Sequence, residues 1–483
     1  MTESVAATPL VVLDLEKLPA PTADATERAR DQRKKRAAAR QQDIARWKAI
    51  EEAGGNDAWI DGELRQRGLF VDTDPSTLAE SEKASFKEKK RVEAVEKRRL
   101  AKLAWKAYLA THVSHVGSGV FYCDDNDEPA KERDLRVARA KENGLGDLDS
   151  PASLAKALGI TVPELRWLAY HREVESASHY RFWTIAKRDG SRRMITAPKP
   201  ELKAAQRWLL RNVFEKLPVH GAAHGFLSAR SIATNAAVHA GARLIVKVDV
   251  KDFFPTVTLR RIKGMLRKAG LPENVATLIA LVATEPPRDV VQFRGQTLYV
   301  AKGPRACPQG APTSPAITNA ICRRLDRRMS GLARMMGFTY SRYADDLAFS
   351  YHADTRPPVG QLLHGVHAIL ASEGFRVHAK KTAVMRSGMS QRVTGLVVNS
   401  AARDGVPAAR VPRDVVRRLK AAIFNREKGR PPPAGKGEES LAQLKGMAAF
   451  VHMTDEKRGR AFLDRIAALE AREGATSSPR TPS

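Results

Sequence analysis

Cysteine is nearly missing from this chain: across 483 residues only Cys123, Cys307 and Cys322 occur, far apart. So sparse a set excludes a disulfide framework, and its spacing makes no structural zinc cluster. The three are expected as reduced thiols. Long apolar runs are missing as well. No stretch of about 18 apolar residues exists to span a bilayer, and the opening MTESVAATPLVVLDLEKLPAP has neither the basic start nor the sustained apolar segment of a signal peptide. A cytoplasmic protein is expected. The third shortage is of acid: 54 Asp and Glu stand against 82 Lys and Arg, a net charge of +28. That footprint suits a polyanion, and nucleic acid is the leading partner over a membrane surface.

What is present divides into segments, and the length of the chain predicts two to four structural units. Residues 1–27, rich in Ala, Pro, Thr and acids, read as a disordered leader. A basic, mainly helical extension follows over 28–150. Within it Arg28–Lys48 carries nine basic and two acidic residues, and Lys83–Lys106 ten and three, on a helix-forming background. Such runs form either solvated faces or phosphate contacts. His112, His115 and Cys123 lack a fourth partner at zinc-site spacing. After a boundary near residue 150, SPASLAKALGITVPELRWLAY predicts two short helices, with Ser153 capping the first, Gly159 stopping it and Pro163 early in the second.

From Tyr180 the pattern changes to strands and turns. YRFWTIAKRDGSRRMITAP predicts a hairpin about Gly190 with basic residues near its tip, and Lys199–Lys216 predicts a helix. RLIVKVDVKDFFPTV holds an apolar strand ending near Asp249, and FTYSRYADDLAFSY makes a second hairpin. Strands alternating with helices in this way predict an α+β core, an antiparallel sheet packed on helices. Residues 400–472 read as helical, with apolar stripes at Val415, Leu419, Ala422 and Ile423, at Leu441, Leu444, Ala448 and Val451, and at Phe462, Ile466 and Leu469. Residues 473–483 read as a disordered tail.

The chemistry centres on three carboxylates. Asp345 and Asp346 are adjacent at a hairpin tip, where like charges raise one another's pKa unless a cation lies between them. Ordinary turn chemistry also places Asp there. Asp249, at the end of a separate apolar strand, changes the balance, because neighbouring hairpin positions bring all three acids within reach of divalent metal. Two hard cations roughly 3.5–4 Å apart stabilise both the attacking and the leaving oxygen of phosphoryl transfer, and Mg²⁺ prefers such oxygen ligands.

The ordered strings VKVDVKDFFPTV, CPQGAPTSPAITN, YADD, FRVHAKKTAVM and VTGLVVN resemble the palm of a reverse transcriptase, over about Tyr180–Asn399. NAAVH, from Asn235 to His239, and VTG, from Val393 to Gly395, resemble signatures of the retron type, a group of bacterial enzymes that make branched, RNA-linked single-stranded DNA (msDNA). The long basic region before residue 150 departs from the shorter members.

The resemblance implies a right-hand polymerase: fingers and palm over 151–399 and a helical thumb over 400–472. It implies that Asp249, Asp345 and Asp346 form a two-metal Mg²⁺ site and that Lys381, with Lys380 as the alternative, acts as general acid. Lys187 and Arg193 would clamp the triphosphate, with Arg188 and Arg192 as weaker candidates. Phe254 would exclude the ribose 2′-hydroxyl, and Gln309 would pack on the incoming nucleotide. Tyr343 and Ala344 would lie beneath the primer end, Thr394 and Gly395 would form the primer grip, and Asn235 and His239 would contact RNA. The implied partners are a structured noncoding RNA as template and primer, deoxynucleoside triphosphates, the RNA–DNA hybrid product and a toxin or effector protein, in a setting of antiphage defence. The competing readings are an intron-encoded or diversity-generating reverse transcriptase, and a nucleic-acid scaffold that controls a toxin. No His- and Cys-rich nuclease segment follows the palm, which weighs against the intron type.

Overall fold

The structure is a computed structural model that describes residues 23–74, 78–124, 128–186, 190, 192–399, 408–430 and 439–477, with side chains from residue 38 to residue 473. The chain divides into two compact units: Met1–Ser114 with Thr161–Pro163, and His115–Ile160 with Glu164–Ser483.

Among its described residues the first unit contains the helices Ala23–Glu52, Asn56–Gln66 and Lys83–Thr111. Both basic runs lie on the long helices. Their few apolar residues face inward in two small cores: Ile50, Ala104 and Ala107 against Trp47 and Trp59, and Ile60, Leu64 and Leu100 against Leu69 and Phe70. Asp43 is buried between Arg46 at 2.6 Å and Lys106 at 3.4 Å.

The second unit begins before the boundary near residue 150. The helix Ala130–Glu142 belongs to it, and Arg136 Nη1 and Asn143 Nδ2 donate to the carbonyls of Gly270 and Ala269 at 3.4 and 3.1 Å. In the next helix, Pro151–Ala157, the cap is Ser150; Ser153 sits three residues on and returns the bond in a capping box. At its other end the chain stays helical to Ser477, past residue 473. Residues 1–22 of the leader, and 478–483 of the tail, lie outside the described residues.

The sheet that organises this unit runs in the order Ala383–Arg386, Leu244–Lys251, Asp346–Tyr351, Phe338–Tyr343, all antiparallel, with Arg376–Val377 pairing the far end of Leu244–Lys251. Period-2 alternation explains its two faces. Val246, Val248 and Val250 are buried on one side. On the other, Ile245 lies in a core shared with Val393, Leu396, Leu419, Leu444 and Ile466, under the C-terminal helices Arg413–Glu427, Leu441–His452 and Glu456–Ser477. Two and four residues further along that face the chain presents Lys247 and Asp249 instead. Where the apolar pattern stops, the polar site begins.

Packed elsewhere in this unit is the helix Glu273–Ala283, apolar nearly all round and buried throughout after its first residue. The basic hairpin pairs Tyr180–Ala186 with Arg192–Pro198, and a small sheet joins Val174–Glu175, Gln296–Ala301 and Arg288–Phe293. No helix among the described residues is long and apolar enough to cross a membrane.

Candidate active site

The hairpin Phe338–Tyr343/Asp346–Tyr351 turns through Ala344 and Asp345, and its register sets Asp346 directly across from Asp249. The amide of Val250 donates to the Asp345 carbonyl at 2.9 Å, which fixes the turn to the end of the neighbouring strand. Ala344 has φ of 55°, a left-handed conformation unfavourable for a residue with a Cβ. Gly225 lies against this turn; a Cβ at Gly225 would come within 2.8 Å of the Ala344 amide nitrogen, so only glycine permits the approach.

The three acids differ in setting. Burial, then the carboxylates of Asp249 and Asp346, push the Asp345 pKa above the ordinary range, while its own backbone amide and Lys381 pull the other way. Lys381 Nζ lies 3.3 and 3.2 Å from the two oxygens of Asp249. Lys247 Nζ lies 3.5 Å from Asp346 Oδ2. So each outer carboxylate has a lysine beside it, and Asp345, between them, is the one pressed by like charge. No group of three or more His, Cys, Asp or Glu side chains among the described residues could by itself hold a metal ion. Magnesium asks for less: it binds through one or two carboxylates, waters and substrate phosphates rather than a closed protein cage. Neighbouring acids, one with its pKa raised by burial and then by the other carboxylates, fit that donor set, with substrate oxygens supplying the rest.

The other expected residues have the following settings. Phe253 is buried and stacks on Phe375 at 5.7 Å, whereas Phe254, half-buried, meets Phe253 edge-on at 5.6 Å. Asp252 between strand and turn has φ of 50°. Gln309 is joined to the basic hairpin, its carbonyl accepting from the Thr196 amide at 2.7 Å. Gly310 follows with φ of 126° and its Cα against the Thr196 carbonyl, 3.0 Å from where a Cβ would sit. Arg193 pairs with Ile185 and is exposed. Lys187 and Arg188 lie outside the described residues. Thr394, at φ 46°, and Gly395 form the turn between Arg392–Val393 and Leu396–Val397, and Thr394 Oγ1 donates to the Ile232 carbonyl at 2.9 Å.

Asn235 and His239 require a correction. On one face of an exposed helix they would meet RNA, but the helix Ile232–Ala237 ends before His239 and both side chains are buried, at 1% and 0% exposure. His239 Nδ1 lies 2.8 Å from Ser350 Oγ and its Nε2 2.7 Å from Ser341 Oγ, while Ser341 Oγ donates to Asn235 Oδ1 at 2.7 Å. Because the single Ser341 proton goes to Asn235, His239 must donate from Nε2 and accept at Nδ1 from Ser350. Burial, with His352 and His224 nearby, pushes the His239 pKa down to about 3 and keeps it neutral. These residues are bonded to both strands of the aspartate hairpin.

A second buried support was not anticipated. Arg342, fully buried, donates to Asp326 at 2.8 and 2.7 Å, to Asn319 Oδ1 at 3.1 Å and to the Ala344 carbonyl at 3.2 Å. Asn319 Nδ2 in turn donates to the Gly225 carbonyl at 2.8 Å, and Tyr340 donates to Asp326 at 2.8 Å. Burial opposes the charge on Arg342, but Asp326 reverses this and raises its pKa. One signal was present in the sequence: Asp326 is the single acid of the basic helix Arg323–Met335.

An antiparallel sheet that delivers acids from two strands to one end, beside a basic hairpin and a Pro- and Gly-rich loop, defines a palm for nucleotide transfer. A family model described as reverse transcriptase (RNA-dependent DNA polymerase) matches residues 185–406. The chain is 57% identical over 467 residues to the Retron Mx162 reverse transcriptase of Myxococcus xanthus, covering 95% of each protein. It is 41% identical to the Retron Mx65 reverse transcriptase of the same organism, over 66% of this chain and 72% of that one, and 30% identical to the Retron Ec86 reverse transcriptase of Escherichia coli, over 70% and 95%. The chain belongs to the retron-type bacterial reverse transcriptases, and it is an RNA-directed DNA polymerase with a palm of mixed helices and antiparallel sheet and a helical N-terminal region.

Proposed function

We propose that this polymerase copies part of a structured partner RNA into single-stranded DNA that stays joined to that RNA through a guanosine 2′-hydroxyl, making msDNA, and that it serves antiphage defence together with an effector protein. The observation that carries the catalytic part is the convergence of Asp249 with the Asp345 turn, fixed by the Val250 to Asp345 backbone bond. Asp249 and Asp345 would hold Mg²⁺, with Asp346 completing the acidic site beside Lys247. When bound, Mg²⁺ supplies Lewis-acid stabilisation of the phosphate oxygens and of the attacking hydroxyl.

The remaining steps belong to the chain. A primer hydroxyl oxygen, giving up its proton to water, attacks the α-phosphorus of a deoxynucleoside triphosphate, the bond from that phosphorus to the bridging oxygen breaks, and pyrophosphate leaves. Lys381, whose ammonium already stands against Asp249, donates a proton to the leaving pyrophosphate; Lys380 makes no such ion pair among the described residues. Arg193, on the basic hairpin, and Lys187 clamp the triphosphate. Gln309 packs on the nucleotide, and Phe254 closes the 2′ side of its sugar. Thr394 and Gly395 hold the primer. The ribose-linked start rests on the resemblance of the NAAVH and VTG strings to retron-type enzymes.

Full-length protein, its copurifying RNA, Mg²⁺ and deoxynucleotides are expected to yield DNA that a 2′,5′-debranching enzyme releases from RNA. Incorporation resistant to debranching and extending only an RNA 3′ end would overturn the priming assignment.

A further inference from the structure

Along the helix Lys83–Thr111 and just past its end, Trp105, Tyr108 and His112 stack into a ladder. The Trp105 and Tyr108 rings lie 5.4 Å apart at 14°, and those of Tyr108 and His112 4.4 Å apart at 6°. Trp47, from the helix Ala23–Glu52, meets Tyr108 and His112 edge-on at 5.1 and 5.0 Å and holds the lower two rings in place. Trp105 ends the ladder, is 56% exposed and has no ring partner but Tyr108 among the described residues. Helical side chains lean toward the N-terminus. The ring face that Tyr108 does not cover therefore looks toward the preceding turns, where Arg98 and Lys102 are exposed and without an acidic partner among the described residues. The helix as a whole is strongly basic.

A large rigid aromatic face, prestacked on two further rings and flanked by cations, has the two elements that single-stranded nucleic acid requires: a platform for a base and charge for the adjoining phosphates. A protein partner would gain from the tryptophan but not from a flank of uncompensated positive charge. The DNA strand leaves the polymerase site paired to its template, whereas a folded RNA arrives with unpaired loops whose bases are free to stack on aromatic rings. We propose that Trp105, with Arg98 and Lys102, forms an accessory site on the N-terminal helical unit that stacks an unpaired base of the partner RNA and grips its neighbouring phosphates. The proposal rests on the RNA-directed reading of the chain.

The test uses full-length protein with its polymerase cleft saturated by an unlabelled primer–template duplex, and a fluorescent unstructured RNA of about 12 nucleotides followed by anisotropy. Trp105→Ala is expected to weaken binding roughly tenfold, Trp105→Phe less, and Arg98→Ala with Lys102→Ala to reduce the slope of log K against log salt by about 1.4, as for two phosphates on a single strand. 4-Thiouridine cross-links are expected in the peptide spanning residues 99–112 and are expected to fall in Trp105→Ala. Extension of the preformed primer–template is measured on the same samples and is expected to stay at wild-type rate. Unchanged RNA affinity in both variants would overturn the site. So would cross-links confined to other segments. Loss of a copurifying protein from Trp105→Ala at unchanged RNA affinity would mean a protein surface and would equally overturn it. Wild-type protein that fails to extend the primer would count against the polymerase reading and leave the binding result to be judged by itself.

Discussion

Arg342 meets Asp326 in two short hydrogen bonds, 2.8 and 2.7 Å, with both side chains fully buried. The same guanidinium holds the Ala344 carbonyl, so the shape of the aspartate turn depends on a charge that Asp326 compensates. Asp326→Ala is expected to cost about 3–5 kcal/mol in urea denaturation, because it leaves a buried cation unpaired. Arg342→Met combined with Asp326→Leu is expected to regain most of that stability and still polymerise poorly, because the Ala344 carbonyl has lost its donor. Full activity in the double variant would mean that the turn does not need this support.

Asp249→Asn and Asp345→Asn are each expected to abolish nucleotide incorporation while RNA binding remains. Losing one carboxylate removes several kcal/mol of stabilisation, on the order of 10³-fold or more in rate. Lys381→Ala is expected to slow the chemical step by about 10²-fold or more, and Lys380→Ala to leave it near wild type; single-turnover incorporation distinguishes them. Equal effects of the two lysine variants would remove Lys381 from its assigned role.

Phe254→Ala is expected to raise incorporation of ribonucleotides relative to deoxynucleotides by at least about tenfold, since the half-buried ring would no longer meet the 2′-hydroxyl. Competition between the two nucleotide types on one primer–template measures it. Phe253→Ala is expected instead to lower stability, because that ring is packed against Phe375.

His239 is held neutral, with its pKa pushed down to about 3 from an unfolded value near 6.5. The folded state therefore binds fewer protons than the unfolded state below about pH 6.5. The stability this residue confers is complete above that pH and is lost as pH falls toward 3, at about 1.4 kcal/mol per unit for one proton. His171, lowered to about 4 mainly by burial, adds to the same trend. Denaturation at several pH values is expected to give a slope one proton smaller for His239→Gln than for wild type; identical slopes would mean that His239 is not sequestered as described.

Much of the site was legible from sequence because its residues are bound to short strings with strong local geometry. Tyr-Ala-Asp-Asp lies between two alternating strands, and the run before Asp249 is short and rich in β-branched residues, so length, composition and period-2 patterning together mark the elements holding the acids as strands. Asn235 and His239 were misplaced for the opposite reason. A spacing of four states which helical face two residues share and is silent on whether that face looks outward; the answer came from Ser341 and Ser350, more than 100 residues away in the chain. The boundary near residue 150 rested on an acidic, Gly-containing stretch, but backbone carbonyls at Ala269 and Gly270 draw the preceding helix into the larger unit.

Composition and local pattern determined a basic, cysteine-poor chain, its helices and hairpins, and the acids of the candidate site. Only the tertiary structure decided which buried groups hold the aspartate turn in place and which lysine stands against Asp249. Charge, period and turn preference act over a few neighbouring residues and are written in order along the chain. The pairing of Arg342 with Asp326, of His239 with two serines and of Lys381 with Asp249 is set by packing between distant segments, where close fit and the cost of an unpaired buried group select partners that no local pattern names.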